Sequence, residues 1–423
     1  MAKLRQKIRD MLRKIGPGFI TGAADDDPSG IATYSMAGAQ FGYKMNWMSL
    51  FLIPAMIAIQ EMCGRIGLVS GMGLAGAIKK YRSIKWLWAA VSLLLVANII
   101  NIGADLGIMA ASLVMVAGGN FFVYLLVITL IILIVEIVVP YRKYVRYLKW
   151  LGLTLFAYVA TAFLVKQDWW SVLGYMVLPR IEFNMHYITM MIGFVGTTIS
   201  PYLFFWQSSE EVEEDIAKSK ISDFGAQPDT SMKDIEVMRW DTKIGMIFSN
   251  MISFFIILTT AATLHNQGIF DIESPQQAAM ALKPLAGDYA YLLFAVGIIG
   301  IGLQAIPVLA GSSAYAVSDA LGIKEGLAKK FTKAKGFYLV IIASVLVGML
   351  MNLLGINTIK ALYYAAIVNG VVSVPLIWVI ISLADDARVV GKYRNGKVGK
   401  LVAWITLVFM AGSVLILFGS IFD

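Results

Sequence analysis

Ala23-Ala24-Asp25-Asp26-Asp27-Pro28-Ser29-Gly30 lies inside the first long apolar segment of the chain. Carboxylates are expensive in such a place. One charged side chain at the bilayer centre costs about 2.5–3.5 kcal/mol even on lenient insertion scales. Proline removes a backbone donor, and the Ser-Gly that follows favours an unwound turn. Unwound backbone at membrane depth persists only where protein or a water-filled cavity satisfies it. The stretch reads as an acidic break in a spanning helix, and therefore as a cation site.

The composition around it is that of a membrane protein. Of 423 residues, 59% are hydrophobic and 15% charged, far from soluble averages. Eleven apolar segments are long enough to cross a bilayer, at about 16–40, 44–70, 86–117, 119–140, 147–166, 186–209, 241–264, 286–320, 336–354, 357–384 and 399–421. The fold class is all-α integral membrane protein, one polytopic domain. The basic amphipathic stretch Met1–Lys14 is followed by no small-residue cleavage site, so it does not read as a cleaved signal peptide.

Basic residues orient the spans. With the N-terminus inside, 29 of the 35 Lys and Arg fall on cytoplasmic segments. The N-terminus is expected in the cytoplasm and the C-terminus outside. The net charge of +8 then faces anionic lipid and needs no nucleic acid. The single cysteine, Cys63, sits in an apolar segment, so there is no disulfide framework or thiolate metal centre.

The second half echoes the first. Gly196-Thr197-Thr198-Ile199-Ser200-Pro201-Tyr202 is another polar, proline-bearing break, five spans after the first. Five spans reverse topology, so residues of about 16–166 and 186–384 read as inverted repeats, with 399–421 an additional helix. Interrupted helices at matching positions in inverted halves point to a transporter site near the midplane.

Asp27 is the leading ligand, beside the turn where Pro28 frees carbonyls; it is also placed to cap the second half-helix. Thr197, Ile199 and Ser200 supply hydroxyl and carbonyl oxygens from the other break, although Ser200 can instead bond its own helix. A carboxylate with such oxygens suits hard dications. Asp25 and Asp26 are expected on different helix faces, at least one lining the pathway. Asp105 in the third span needs a cavity or a partner. Glu61 and Arg65 are spaced as an intrahelical pair. Tyr202 and Gln207 continue the polar line along span six. The run Glu210–Asp215 reads as a solvated face or a cation-collecting mouth, opening a partly helical loop over 210–243. Asn266–Gly287 reads as an outer, lid-like loop. His186 and His265 lie near the outer surface.

At its two breaks the chain resembles the Nramp family of divalent metal transporters. Gly16-Pro17-Gly18-Phe19 and Asp27-Pro28-Ser29-Gly30 are similar to that family's first helix, patterned Asp-Pro-Gly-Asn. Thr197 to Tyr202 is similar to its sixth-helix pattern Ala-Thr-Val-Met-Pro-His. The resemblance implies a LeuT-type 5+5 inverted repeat with discontinuous helices 1 and 6, and Asp27 as metal ligand. The departures are chemical. The family's Asn falls on Gly30, its soft Met on Ser200, and its sixth-helix His positions on Tyr202 and Gln207. The Glu three residues after its third-helix Asp falls on Ile108, and its tenth-helix Gln on Ser373.

This pattern resembles the Nramp-related magnesium transporter branch. It implies Mg²⁺ uptake without proton coupling, the ion held largely hydrated between Asp27, Gly30 and Ser200. The expected partners are the divalent ion and the lipid bilayer, with no enzyme activity, no cofactor and no obligate protein partner. The expected location is a bacterial inner membrane. Two alternatives share the helix breaks: a proton-coupled Mn²⁺/Fe²⁺ transporter, and a LeuT-type symporter of an organic amine or other solute.

Overall fold

Proline and glycine cut the apolar sequence into helices at both predicted breaks. The computed structural model describes residues 16–139 and 151–422. Helix α1 runs Pro17–Asp25 and α2 runs Pro28–Phe41, each opening on a proline, which at a first-turn position loses no intrahelical bond. Next come α3 (Asn46–Ser70), α4 (Leu74–Tyr81), α5 (Ile84–Ala117), α6 (Phe121–Val138), α7 (Phe156–Leu164) and α8 (Trp169–Val177). The second break separates α9 (Met185–Thr198) from α10 (Pro201–Ala217). The chain continues with α11 (Met232–Thr263), α12 (Ala290–Leu321), α13 (Lys335–Met351), α14 (Thr358–Ala384) and α15 (Lys397–Phe422).

Among the described residues, nine helical stretches are long and apolar enough to cross a membrane. The difference from eleven predicted segments has two sources. Pro28–Ser70 joins half of the first segment to the second, and only Leu153–Leu164 of the fifth counts, as a shorter apolar helix. Residues 147–150 of that segment, and the basic stretch Met1–Lys14, lie outside the described residues.

Close backbone contacts anchor the half-helices. Gly18 and Gly22 of α1 lie against α11, where a Cβ on Gly18 would come 2.6 Å from Thr242 N and one on Gly22 2.4 Å from Gly245 C. Gly196 of α9 lies against α14, where a Cβ would come 2.0 Å from the Ala366 carbonyl oxygen. Small residues at such crossings let helices approach without hydrophobic drive. The start of α1 is also held from α11: Asp241 accepts from the N–H groups of Gly16 (2.9 Å), Gly18 (2.7 Å) and Phe19 (3.3 Å). The outer faces of α6, α13 and α15 carry exposed Leu130, Leu346 and Leu415, as lipid contact requires.

The partly helical loop predicted over 210–243 takes the form of two helix ends and a shorter connection. Helix α10 continues to Ala217 and α11 begins at Met232, so the connection is only 218–231. A capping box of Ser231 and Asp234 starts α11 well before its apolar stretch. The segment 266–287 carries a short helix, Pro275–Met280, and buries Ile272 and Ala278.

Candidate functional site

The two breaks meet. Asp27 is the N-cap of α2: its Oδ1 accepts from the Gly30 N–H at 2.7 Å and from Ser29 Oγ at 2.8 Å. Ser29 Oγ lies 3.4 Å from Thr197 Oγ1 across the two halves. Tyr34 OH lies 3.1 Å from Thr198 Oγ1. Tyr202 at the start of α10 donates to the Ala24 carbonyl at 2.9 Å. Asp27, Thr197 and Ser200 are each only 1% exposed, so the site is sealed from solvent.

The second break is organised differently. Ser200 is the N-cap residue of α10 but its side chain does not cap. Its hydroxyl bonds back to the carbonyls of Gly196 and Thr197, each at 2.8 Å. The Ile199 carbonyl accepts from Ser373 Oγ of α14 at 2.6 Å. Ser373 therefore fixes the break through a backbone oxygen of Ile199.

Gly30 leaves no spare room. A Cβ there would come 3.3 Å from Thr197 Oγ1 and 3.3 Å from the Tyr34 ring. The expectation that Asp25 and Asp26 face different sides is corrected, since both accept from Ser249 of α11, at 2.5 Å and 3.3 Å. Unwinding after Asp25 frees the geometry of Asp26, so both reach one hydroxyl. Asp25 Oδ1 and Asp26 Oδ2 remain without hydrogen-bond partners.

Asp105 is fully buried, neither of its carboxylate oxygens has a hydrogen-bond partner, and it lies within electrostatic reach of Asp27. The amides of Asn101, one turn earlier on α5, and Asn369 on α14 are buried and unpartnered too. Ile108 joins Pro28, Ile31, Phe294 and Ile298 around an apolar gap of about 10 Å³. Gln207 stands apart from the break and donates to Glu211 at 2.9 Å.

The acidic run is not a solvated face. Glu211, Glu213 and Asp215 are buried, with Tyr315 donating to Glu213 at 2.8 Å and Lys220 lying 3.2 Å from Asp215. Glu61 finds a nearer partner than Arg65: Arg239 at 3.1 Å against 3.6 Å. His265 Nδ1 meets the Ala39 carbonyl at 2.7 Å, near the C-terminal end of α2. Sequence reasoning missed Ser29, Tyr34 and Ser249, while Thr198 was among the hydroxyls it weighed at the second break. Ser29 stands inside the quoted motif and was within reach; Ser249 carries no local signal, because a helical serine more often bonds its own backbone.

Two proline-started half-helices meeting around a buried carboxylate in an all-helical bundle define a LeuT-type membrane transporter. The fold comparison agrees. The chain superposes on a manganese transporter of Eremococcus coleocola with a TM-score of 0.72, at 18% identity over 95% of this chain and 85% of that one. It superposes on a nucleobase-cation-symport-1 family transporter with a TM-score of 0.63, at 12% identity over 96% and 93%. In sequence it is similar to the divalent metal cation transporters MntH of Aeromonas hydrophila (24% identical, 95% of this chain and 94% of that protein) and Vibrio campbellii (24%, 92% and 88%). The model of the family described as natural resistance-associated macrophage protein-like, Nramp, matches residues 18–420. The chain belongs to the Nramp family.

Proposed function

We propose that this protein carries divalent metal cations across a bacterial plasma membrane by alternating access about the two helix breaks. The observation that carries this reading is the sealed meeting of the paired breaks, where Ser29 links Asp27 to Thr197 and Tyr202 donates to the Ala24 carbonyl. A buried carboxylate beside the hydroxyls of a second half-helix suits a hard dication. The unpartnered oxygens of Asp25, Asp26 and Asp105 offer further polar steps for an ion or its water. The ion is cargo. The halves 16–166 and 186–384 would rock against each other, with 399–421 appended, and the Lys- and Arg-rich loops would face the cytoplasm, leaving the C-terminus outside.

Two finer readings share this frame. The names of the similar proteins, MntH and manganese transporter, favour Mn²⁺. The donor set of this chain favours Mg²⁺ and the magnesium branch, since the side chains gathered at the breaks bear only oxygen, and Mn²⁺ loses the advantage a soft ligand gives it. The apolar wall around Ile108 puts no titratable group one turn from Asp105, which favours transport without a proton. A divalent ion crossing 100 mV gains about 4.6 kcal/mol, enough for a gradient on the order of a thousandfold.

The test is flux into proteoliposomes. Entry of Mg²⁺ that follows the potential, without lumenal acidification and with Mn²⁺ as a competitor, is the expected result. Mn²⁺ entry that persists under a large Mg²⁺ excess and carries protons would transfer the assignment to the Mn²⁺ reading. Flux of an amine with no metal flux would overturn both.

A further inference from the structure

Half-helix α1 is capped from another helix. Its N-cap residue, Gly16, offers no side chain, and the N–H groups of Gly16, Gly18 and Phe19 all donate to the Asp241 carboxylate of α11. Gly18 and Phe19 are the second and third helical positions, whose donors a helix's own cap side chain ordinarily satisfies. Asp27, Asn120, Asn184 and Ser231 do this for their own helices. A cap on the same helix travels with it wherever it lies. A cap on a neighbour is satisfied in one placement only. The charge strengthens the hold, because a carboxylate at a helix N-terminus meets the positive end of the macrodipole and is a stronger acceptor than a neutral oxygen.

The rest of α1 is built to pivot about its far end. Asp26 and Asp27 leave the helical conformation, with ψ of 52° and 170°, and a break of a few residues absorbs the rotation of a rigid piece. Close to that break α1 is tied by Ser249, which donates to Asp25, and by Tyr202, which donates to the Ala24 carbonyl. The opposite end of this nine-residue rod, about 13 Å away, is tied by Asp241. The seam between is made of small residues. Gly18 and Gly22 press on Thr242 and Gly245, and Thr21, on the same face, is buried. The larger Phe19 and Ile20 are only half-buried, and Phe19 meets Phe248 of α11 at the edge of the seam, ring centres 5.7 Å apart. Such a seam holds by close packing and hydrogen bonds rather than by hydrophobic burial, so the polar tie at the free end carries much of the closure.

We propose that Asp241 is a gate latch: its carboxylate holds α1 closed against α11, and release of its three N–H bonds opens the path at the end of the bundle where α1 starts. The inference rests on alternating access about the two breaks, and it makes Asp241 a positioning residue that acts on the ion through α1. Once unlatched, the N–H groups of Gly16, Gly18 and Phe19 need another partner, and water is the one an opening gate admits. The latch therefore opens toward an aqueous side and not into lipid, where free N–H groups are costly. The fit at position 16 is specific to glycine: a Cβ there comes 2.8 Å from Asp241 Oδ2.

The test reads exposure of the seam instead of flux. Thr21 is fully buried and Cys63 is the only native cysteine, so T21C in the full-length C63A chain reports opening of α1 by its rate of modification with a charged thiosulfonate in detergent. D241A should raise that rate by at least about tenfold, and D241N by a smaller factor, because the amide oxygen still accepts. S112C, at a fully buried position of α5, should keep the parent's rate in the same backgrounds. G16A leaves the carboxylate in place but crowds it, should also speed T21C modification, and serves if D241A does not fold. An unchanged T21C rate in D241A and G16A overturns the proposal. So does an equal rise at S112C, which is general loosening, and so does a lowered melting temperature with T21C still protected, which is a cap and no gate. Labelling needs no transported ion. Faster labelling in a chain that carries no metal keeps the latch and removes the transport reading, and unchanged labelling in a chain that carries metal does the reverse.

Discussion

The two helix breaks solve the same backbone problem with opposite chemistry. At the first, the Asp27 carboxylate caps α2 in person, taking the Gly30 N–H and the Ser29 hydroxyl on one oxygen. At the second, nothing from Ser200 caps α10, and its hydroxyl turns back to Gly196 and Thr197. The first break brings a negative charge; the second brings a bare helix N-terminus, with its partial positive charge, and carbonyls held in place by Ser373. An arrangement with acids at both breaks would repel itself when empty. One charged and one neutral break avoids that repulsion, and the halves already meet through Ser29–Thr197, Tyr34–Thr198 and Tyr202–Ala24.

The sharpest way to break this comparison is to remove the charge and keep the cap. Asn caps a helix about as well as Asp, so D27N should fold like the parent and lose transport by at least about a hundredfold, close to the loss in D27A. Flux in liposomes with expression level as control is the measurement. Transport retained in D27N would mean that the cap, not the charge, is what the first break supplies. The next largest effect belongs to the anchors. G196A places a Cβ 2.0 Å from the Ala366 carbonyl and 2.3 Å from Gly370 N. These are backbone atoms that cannot step aside, so thermal unfolding in detergent should show a loss of about 1–3 kcal/mol. An unaltered melting temperature would show that α9 and α14 are looser than described.

A smaller change tests the neutral break. S200M restores a soft ligand and should raise Mn²⁺ over Mg²⁺ affinity by about tenfold in competition binding. Equal affinities before and after would remove Ser200 from any role in choosing the ion. The companion change G30N is less clean, since Thr197 and the Tyr34 ring must first give way.

The helices and both breaks were legible because proline and apolar runs are local signals. Asp27 as cap was legible for the same reason: carboxylate, proline and turn residues stand side by side in the sequence. What escaped was set by register between helices. Ser249 reaches Asp25 and Asp26 because α1 packs on α11 through Gly18, Gly22 and Gly245, and no property of Ser249 announces that. The acidic run 210–215 was misread for a related reason. Its burial comes from Tyr315 on α12 and from Lys220 beyond the end of α10, partners that composition alone does not assign to it.

The mildest perturbation addresses how firmly the neutral break is held. Ser373 donates the 2.6 Å bond that ties the Ile199 carbonyl to α14. A buried neutral hydrogen bond contributes about 0.5–1.5 kcal/mol net. S373A removes the donor, leaves the carbonyl its second lone pair and creates only a small void. The stability loss should therefore stay near 1 kcal/mol. Transport responds in one of two ways. If the bond only holds the resting fold, the turnover of S373A matches the parent once expression is normalised. If the Ile199 carbonyl must leave Ser373 to meet the ion, S373A removes that competition, and apparent affinity for the transported dication rises by a few-fold at unchanged or faster turnover. The second outcome is the expected one. A 2.6 Å bond aimed at a break-site carbonyl competes directly with the ion for that oxygen. A fall in affinity would show instead that Ser373 presents the carbonyl to the ion and that the clamp belongs to the loaded state.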